Sequence, residues 1–356
     1  LSASPLRIGY VPLTDAAPLV VAEALGLFAQ HGVRVALSRE SAWAAVRDRV
    51  AHGLLDGAHM LAPMPIALAC GLGGVRATVS VGAGIGRNGN TLTLSPALAG
   101  EAGLDPAGSP LSAEAFAAAV RRRAAAGRPM VRLAAVFPFS SHHYLLRHWL
   151  ASGGLDPDRD LRLVVVPPPR TAAALAGGEV DGFLSGEPWG SHAAALGVGR
   201  VALTGGDVWP DHPEKVLAFR AGLPAGQAVA VTAAVIAAAR WLDDPANRGD
   251  AAALMHERVF PTLDAATVRL ALDGVVPTAA GTRALPAPMR FREATLARPE
   301  AAAWWLRQMR RWGHVPEAVP DSEALSAYGD ATWRAAAALL GEAEPETVTL
   351  PEEIAA

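Results

Sequence analysis

The sequence predicts an α/β protein of two lobes, each a mostly parallel sheet flanked by helices, and three observations carry that prediction. Residues 6–61 alternate short apolar runs with longer periodic segments in βαβαβ order, which pairs strands in parallel through crossover helices. The same order returns at 131–185. LDGAHM at 55–60 and VDGFLS at 180–185 then match in place as well as in sequence, since each follows a helical segment and uses Asp-Gly to enter a strand. One lobe of 1–92 plus 205–356 and another of 93–204 follow, with a ligand cleft expected between them.

In order, LRIGY (6–10) reads as a strand, VPLTDAAP as a loop, and 17–28 as an apolar periodic helix. Thr14 or Asp15 is its candidate N-cap. A strand at 33–37, a helix near 41–52 and the strand at 55–61 complete the first set. An Ala-rich insert (100–129) holds a helix at 114–126, and the second set follows: strand 131–137, a helix capped by Ser140 or Ser141 and running to 151, strand 161–166, helix 171–176 and strand 180–185. From Lys215 onward the pattern is mostly helical, at 225–242, 251–256, 263–272, 298–312 and 322–340. Trp304, Trp305 and Trp312 give the fourth of these a partly buried aromatic face. The acidic end, GEAEPETVTLPEEIAA, reads as a solvated tail or a loosely docked arm.

Composition narrows the function. At 356 residues with 51% hydrophobic residues there is material for two cores. A net charge of −3 without a block of like charges removes the footprint of a nucleic-acid binder or polybasic membrane anchor, so a small ligand is expected. Cys70 is the single cysteine; it cannot form an intrachain disulfide and reads as a buried small hydrophobe. The longest apolar stretch, 228–239, stops at Arg240, which predicts a soluble chain without a membrane span. No charged leader precedes Leu6, so a targeting segment is expected to be absent or already removed.

Lys215 stands out as the only lysine: of 31 basic residues, the other 30 are Arg. A lone Lys in an Arg-biased chain marks a site that wants a compact ammonium, although a surface Lys is the plainer alternative. In open α/β sheets ligands lie beyond the carboxyl ends of strands. Collecting such positions gives Tyr10, Thr14, Trp43, His59 and Asn90, then His142, His143, Gly186, Glu187 and Trp189, and finally Lys215. SGEPWGS places Pro188 at a helix start, so amides near Gly186 and Glu187 can face a ligand, and FPFSSHHY does the same near His142. Two helix N-termini, an imidazole and an ammonium describe a pocket for a small anion.

Catalytic and metal patterns are missing from the sequence. His142, His143 and His148 lack the i, i+4 spacing of a helical zinc site, and no HExxH, GxSxG or Walker motif occurs. GAGIGRNG at 82–89 resembles a dinucleotide loop only superficially, because its strand comes late in its lobe. A Schiff-base role for Lys215 finds no accompanying phosphate site. No enzyme, cofactor or metal is therefore expected.

LRIGYVPLTDAAPLVVAEALGLFAQHG, SAWAAVRDRV, LDGAHMLAPMP, NGNTLTLS, VFPFSSHHYLLRHWLASGGLDPDRDLRLVVVPPPR, VDGFLSGEPWG and DVWPDHPEKVLAF together resemble the nitrate and bicarbonate solute-binding family, with RRWGHVP (310–316) as a further echo. The resemblance implies a type II periplasmic-binding-protein fold. It also implies that Trp43, His142, Gly186 and Lys215 line the anion, with His59, Asn90 and Glu187 beside them. Bicarbonate members carry a carboxylate in place of that Lys and use calcium, so the intact HPEK implies nitrate or nitrite without metal. LAPMP, SSHHY and VVVPPP are most similar to the nitrate/nitrite sensors of the NasS type. Those imply a cytoplasmic protein that holds an RNA-binding antiterminator (NasT-like) and itself contacts no nucleic acid. A periplasmic binding component of an ABC transporter is the alternative, implied if a signal peptide was removed. An enzyme of the pyrimidine-precursor type on this fold would need a His and Cys cluster, and a sulfonate binder would prefer Arg or Ser-rich contacts.

Overall fold

The structure is a computed structural model that describes residues 4–347 and 349–351. In chain order its strands are β1 (Leu6–Tyr10), β2 (Val35–Arg39), β3 (Gly57–Leu61), β4 (Val79–Arg87), β5 (Asn90–Leu94), β6 (Arg132–Ala135), β7 (Arg162–Val165), β8 (Gly182–Gly186), β9 (Arg200–Thr204), β10 (Pro213–Arg220), β11 (Val275–Thr278) and β12 (Gly281–Ala284). They fall into two compact units. The first comprises 4–87, Pro213–Phe260 and 290–347, and the second Asn88–His212, Pro261–Met289 and 349–351. This division differs from the sequence expectation at 88–92, 205–212, 261–289 and 349–351, which belong to the second unit. β5 makes that so at its start, and helix Ala265–Leu272 with the β11–β12 hairpin does so later by packing on helix Trp189–Ala195.

In the first unit the strand order is β2-β1-β3-β10-β4. β1 runs parallel to β2 and β3, as the βαβαβ pattern predicts, and β3 is buried along its whole length, as a central strand covered on both faces should be. β10 is inserted antiparallel between β3 and β4. This corrects the reading of the chain as helical from Lys215 onward. VLAF is a short apolar run that periodicity alone cannot assign, and its pairing partners lie far away in sequence.

The β10–β4 ladder is irregular at its start. Pro213 pairs with Arg87 and Lys215 with Gly86, leaving Glu214 as an extra residue. Consecutive side chains of a regular strand face opposite ways, and a bulge cancels that alternation. Glu214 and Lys215 can therefore meet each other. β4 itself contains GAGIG, and its glycines serve packing: a Cβ on Gly84 would lie 2.0 Å from the Ala294 carbonyl oxygen. No phosphate loop is formed by this segment.

Helix Ala225–Asp243 packs against helices Ala17–Ala24 and Ala331–Leu340. Among the described residues it is the one helix long and apolar enough, by length and composition, to cross a membrane, and Val231, Val235 and Ile236 on it are fully buried in this unit's core. The expected helix at 17–28 breaks at Gly26, whose φ of 68° is left-handed, and resumes as Leu27–Gln30. Cys70 is half-buried rather than buried. The acidic end is a docked arm over its described part. Glu342 accepts from Arg240 and Arg292, and Arg87 Nη2 donates to the Glu346 carbonyl at 3.0 Å. Residues 348 and 352–356 of that end, and 1–3 of the first lobe, lie outside the described residues.

In the second unit the order is β7-β6-β8-β5-β9, with β6 parallel to β7 and β8 and with β5 antiparallel to both its neighbours. The two sheets thus share one topology, and in each the fourth position is taken by an antiparallel strand from outside the βαβαβ set. The core of the second unit gathers Leu92, Leu133, Leu146, Leu184 and Leu203 around Phe116 and Trp149.

Candidate functional site

In the first unit, the carboxyl ends of the strands hold a buried charged cluster. β1 leads into a short 3-10 turn, Thr14–Ala16, in which neither Thr14 nor Asp15 caps a helix. Asp15 is instead 1% exposed and turned to two partners. Its Oδ2 lies 2.8 Å from Lys215 Nζ, and its Oδ1 lies 3.0 Å from His59 Nε2. Both are close ion-pair contacts. Lys215, fully buried on β10, also donates to the carboxylate of Glu214, which the bulge has brought to the same side.

Trp43 opens helix Trp43–Ala51 and covers this cluster. Its ring meets that of His59 edge to face with centroids 5.1 Å apart, and Lys215 Nζ lies 5.6 Å from its centroid, within cation–π range. Burial alone would raise the Asp15 carboxyl, but Lys215, and after it His59, hold it below the usual carboxylate range. Burial pushes His59 below its ordinary value, with Asp15 pulling the other way. A nitrogen 3.0 Å from an ionised carboxylate carries the proton, so neutral His59 is protonated at Nε2 and bare at Nδ1. Thr14 Oγ1, Trp43 Nε1 and His59 Nδ1 are buried and meet no hydrogen-bond partner among the described residues. Native buried polar atoms are rarely left so, and these three belong to the charged cluster or to the residue beside Asp15 in the chain, which makes the cluster a candidate site for a polar ligand.

The second unit places its expected residues at the equivalent strand ends. Asn90 starts β5 opposite Gly186, the last residue of β8, and its Nδ2 lies 3.3 Å from His212 Nε2. Ser140 caps helix Ser141–Ser152, accepting from the His143 amide at 3.0 Å and donating to the Phe137 carbonyl at 2.7 Å, which fixes His142 in the first turn. His143 is engaged by Arg147, whose Nε donates to its Nε2 at 2.7 Å. The Glu187 carboxyl accepts from Thr91 Oγ1 at 2.9 Å and from the Ser191 amide at 3.3 Å, and burial raises it above the usual range. Its side chain is thus committed to bracing the start of helix Trp189–Ala195. Trp189 begins that helix one place later than expected, with Pro188 at the N-cap.

The structure brings Trp43, His59 and Lys215 together in one unit and Asn90 with Gly186 in the other. Sequence reasoning named Asp15 only as a helix cap and did not single out Glu214. The available signal was HPEK itself, a carboxylate beside the sole lysine.

The sequence matches the model of the NMT1-like family over residues 2–256. The chain belongs to the NMT1-like family. This NMT1-like chain is 41% identical over 250 residues to the nitrate import ATP-binding protein NrtC of Synechocystis sp., a match covering 68% of this chain and 36% of NrtC's length. It is 30% identical over 364 residues to the bicarbonate-binding protein CmpA of Synechococcus elongatus, covering 96% of this chain and 79% of that one. Among solved structures, the periplasmic nitrate-binding protein NrtA from Synechocystis PCC 6803 superposes with a TM-score of 0.86 at 27% identity, over 95% of this chain and 89% of that one. The periplasmic-binding-protein fold expected from the sequence is the fold found. CmpA and NrtA, which this NMT1-like chain resembles over 95% or more of its length, are both named as binding proteins.

Proposed function

We propose that this chain binds nitrate or nitrite at the Trp43, His59 and Lys215 cluster and acts as a sensor in nitrate assimilation. The observation that carries the reading is the sole lysine, buried against the Trp43 ring, whose indole N–H has no partner among the described residues, and paired with Asp15, the neighbour of Thr14, whose hydroxyl has none either. Nitrate is planar, weakly basic and an acceptor only. An aromatic ring and two donors suit such an acceptor, with the Lys215 ammonium held beside them by its own carboxylates. Relatives named for nitrate and for bicarbonate support a small planar oxyanion, and the presence of Lys215 favours nitrate or nitrite. Calorimetric titration of the anion-free protein with nitrate, nitrite, and bicarbonate with and without calcium tests this. Binding of bicarbonate alone, or only with calcium, would overturn it.

In the sensor reading the protein is cytoplasmic and holds an RNA-binding antiterminator of the NasT type, which it releases when the anion stabilises one of its forms. Its support is the likeness in LAPMP, SSHHY and VVVPPP. A copurified complex that survives nitrate addition would refute it. A second reading, a periplasmic nitrate-binding component of an ABC transporter, is favoured by relatives named for import and for a periplasmic location.

A further inference from the structure

We propose that the anion enters this site together with one proton, and that His59 carries it. The inference rests on the nitrate-binding reading above and adds a co-ligand to it.

Charge balance is the first argument. Asp15, Glu214 and Lys215 are each at most 1% exposed, and Lys215 pairs with both carboxylates. Its ammonium is therefore not a spare positive charge. Counted with ordinary charges, these three side chains and a neutral His59 sum to −1, and with an imidazolium to zero. A monoanion added to the first arrangement is a further buried charge without a counterpart, which is costly. Added to the second it meets a positive group.

Hydrogen-bond chemistry is the second argument. His59 Nε2 faces Asp15, and Nδ1 is buried with no partner among the described residues. On a neutral ring Nδ1 is a lone-pair acceptor, and nitrate has nothing to donate to it. Protonation turns the same atom into a donor while Nε2 keeps its contact with Asp15. The charged groups facing His59 are Asp15 from the turn after β1 and Lys215 and Glu214 from β10; helix Trp43–Ala51 presents only the uncharged Trp43 ring. Burial holds the free imidazole below its ordinary value near about 6.5, so the proton is not already in place at neutral pH. A bound anion raises that value. Affinity is then highest at low pH and falls as pH rises through the window between the free and the bound values.

The test is calorimetry of the full chain with sodium nitrate, which does not itself titrate, in phosphate and in Tris between about pH 6 and pH 8. The expected result is uptake of close to one proton per nitrate and a Kd that weakens by up to about tenfold per pH unit. His59→Gln should bind without proton uptake and with a Kd that pH does not move. Should that variant fail to fold or bind, histidine ring NMR of the wild-type protein decides: nitrate should convert the His59 ring from neutral to charged. Nitrate binding with a flat Kd and no proton exchange, uptake that persists in His59→Gln, or a ring that stays neutral would overturn the inference and leave nitrate binding standing. No nitrate binding by the wild-type protein would overturn both.

Discussion

Asp15 and Lys215 lie 2.8 Å apart, both at most 1% exposed, on a turn and a strand separated by two hundred residues of chain. The lysine is thus held by carboxylates of its own unit. Removing it leaves two buried carboxylates unopposed, so Lys215→Met should lower stability by about 3–5 kcal/mol in urea denaturation and abolish nitrate binding in calorimetry. Full stability of the variant would show that the pair is not buried as described.

Trp43 contributes a ring and an N–H, and the two are separable. Trp43→Phe keeps most of the apolar contact with His59 and loses the unpartnered Nε1 donor. We expect a folded variant with nitrate affinity lower by about fivefold to tenfold, the scale of one hydrogen bond. An unaltered Kd would place the indole nitrogen outside the contact.

Glu187 links stability to pH. Burial raises its carboxyl in the folded protein, with Thr91 and Ser191 opposing in part. For a group whose folded value is raised, the folded state binds more protons. Its contribution is fully present below the unfolded value of about 4.3 and is lost as pH rises through the folded value. Thermal melts of Glu187→Gln should show a smaller loss of stability over that rise than the wild-type protein. Parallel pH profiles would contradict a raised carboxyl.

Gly84→Ala should destabilise the first unit by about 1–3 kcal/mol or more, because its Cβ meets the Ala294 carbonyl at 2.0 Å and backbone must shift. Denaturant midpoints measure it. A neutral result would mean that β4 has room to move away.

Ser140 satisfies the helix that carries His142. Ser140→Ala removes its bonds to the His143 amide and the Phe137 carbonyl and should cost about 0.5–2 kcal/mol. Denaturant midpoints measure it, and an unchanged midpoint would show that the cap contributes nothing to the helix.

How much was legible depends on the range of the signal. The Ser140 cap, helix Thr171–Ala176 and β1 follow from local pattern and stand where the sequence placed them, and β2 and β3 follow from it too but each begins two residues later than expected. β10 did not, because nothing within its eight residues records that β3 and β4 leave a gap for it. Lys215 was readable as an anomaly of composition. Its two carboxylates were not, since Asp15 reaches it through tertiary pairing and Glu214 only through a bulge that appears when β10 meets β4. The Glu187 carboxyl shows the reverse case. A residue in a recognisable motif turns its side chain inward to Thr91 and Ser191.

The late arrival of β10 sets an order of events during synthesis. The five strands of the second sheet are all present once Thr204 has been made, whereas the first sheet lacks its fourth strand until Arg220. Until then β3 and β4 have no β10 to pair with, and unpaired strand edges invite pairing with other chains. The same eight residues that carry Lys215 close those edges. A nascent chain stalled before Pro213 therefore lacks both its ammonium and the strand that shields its first sheet.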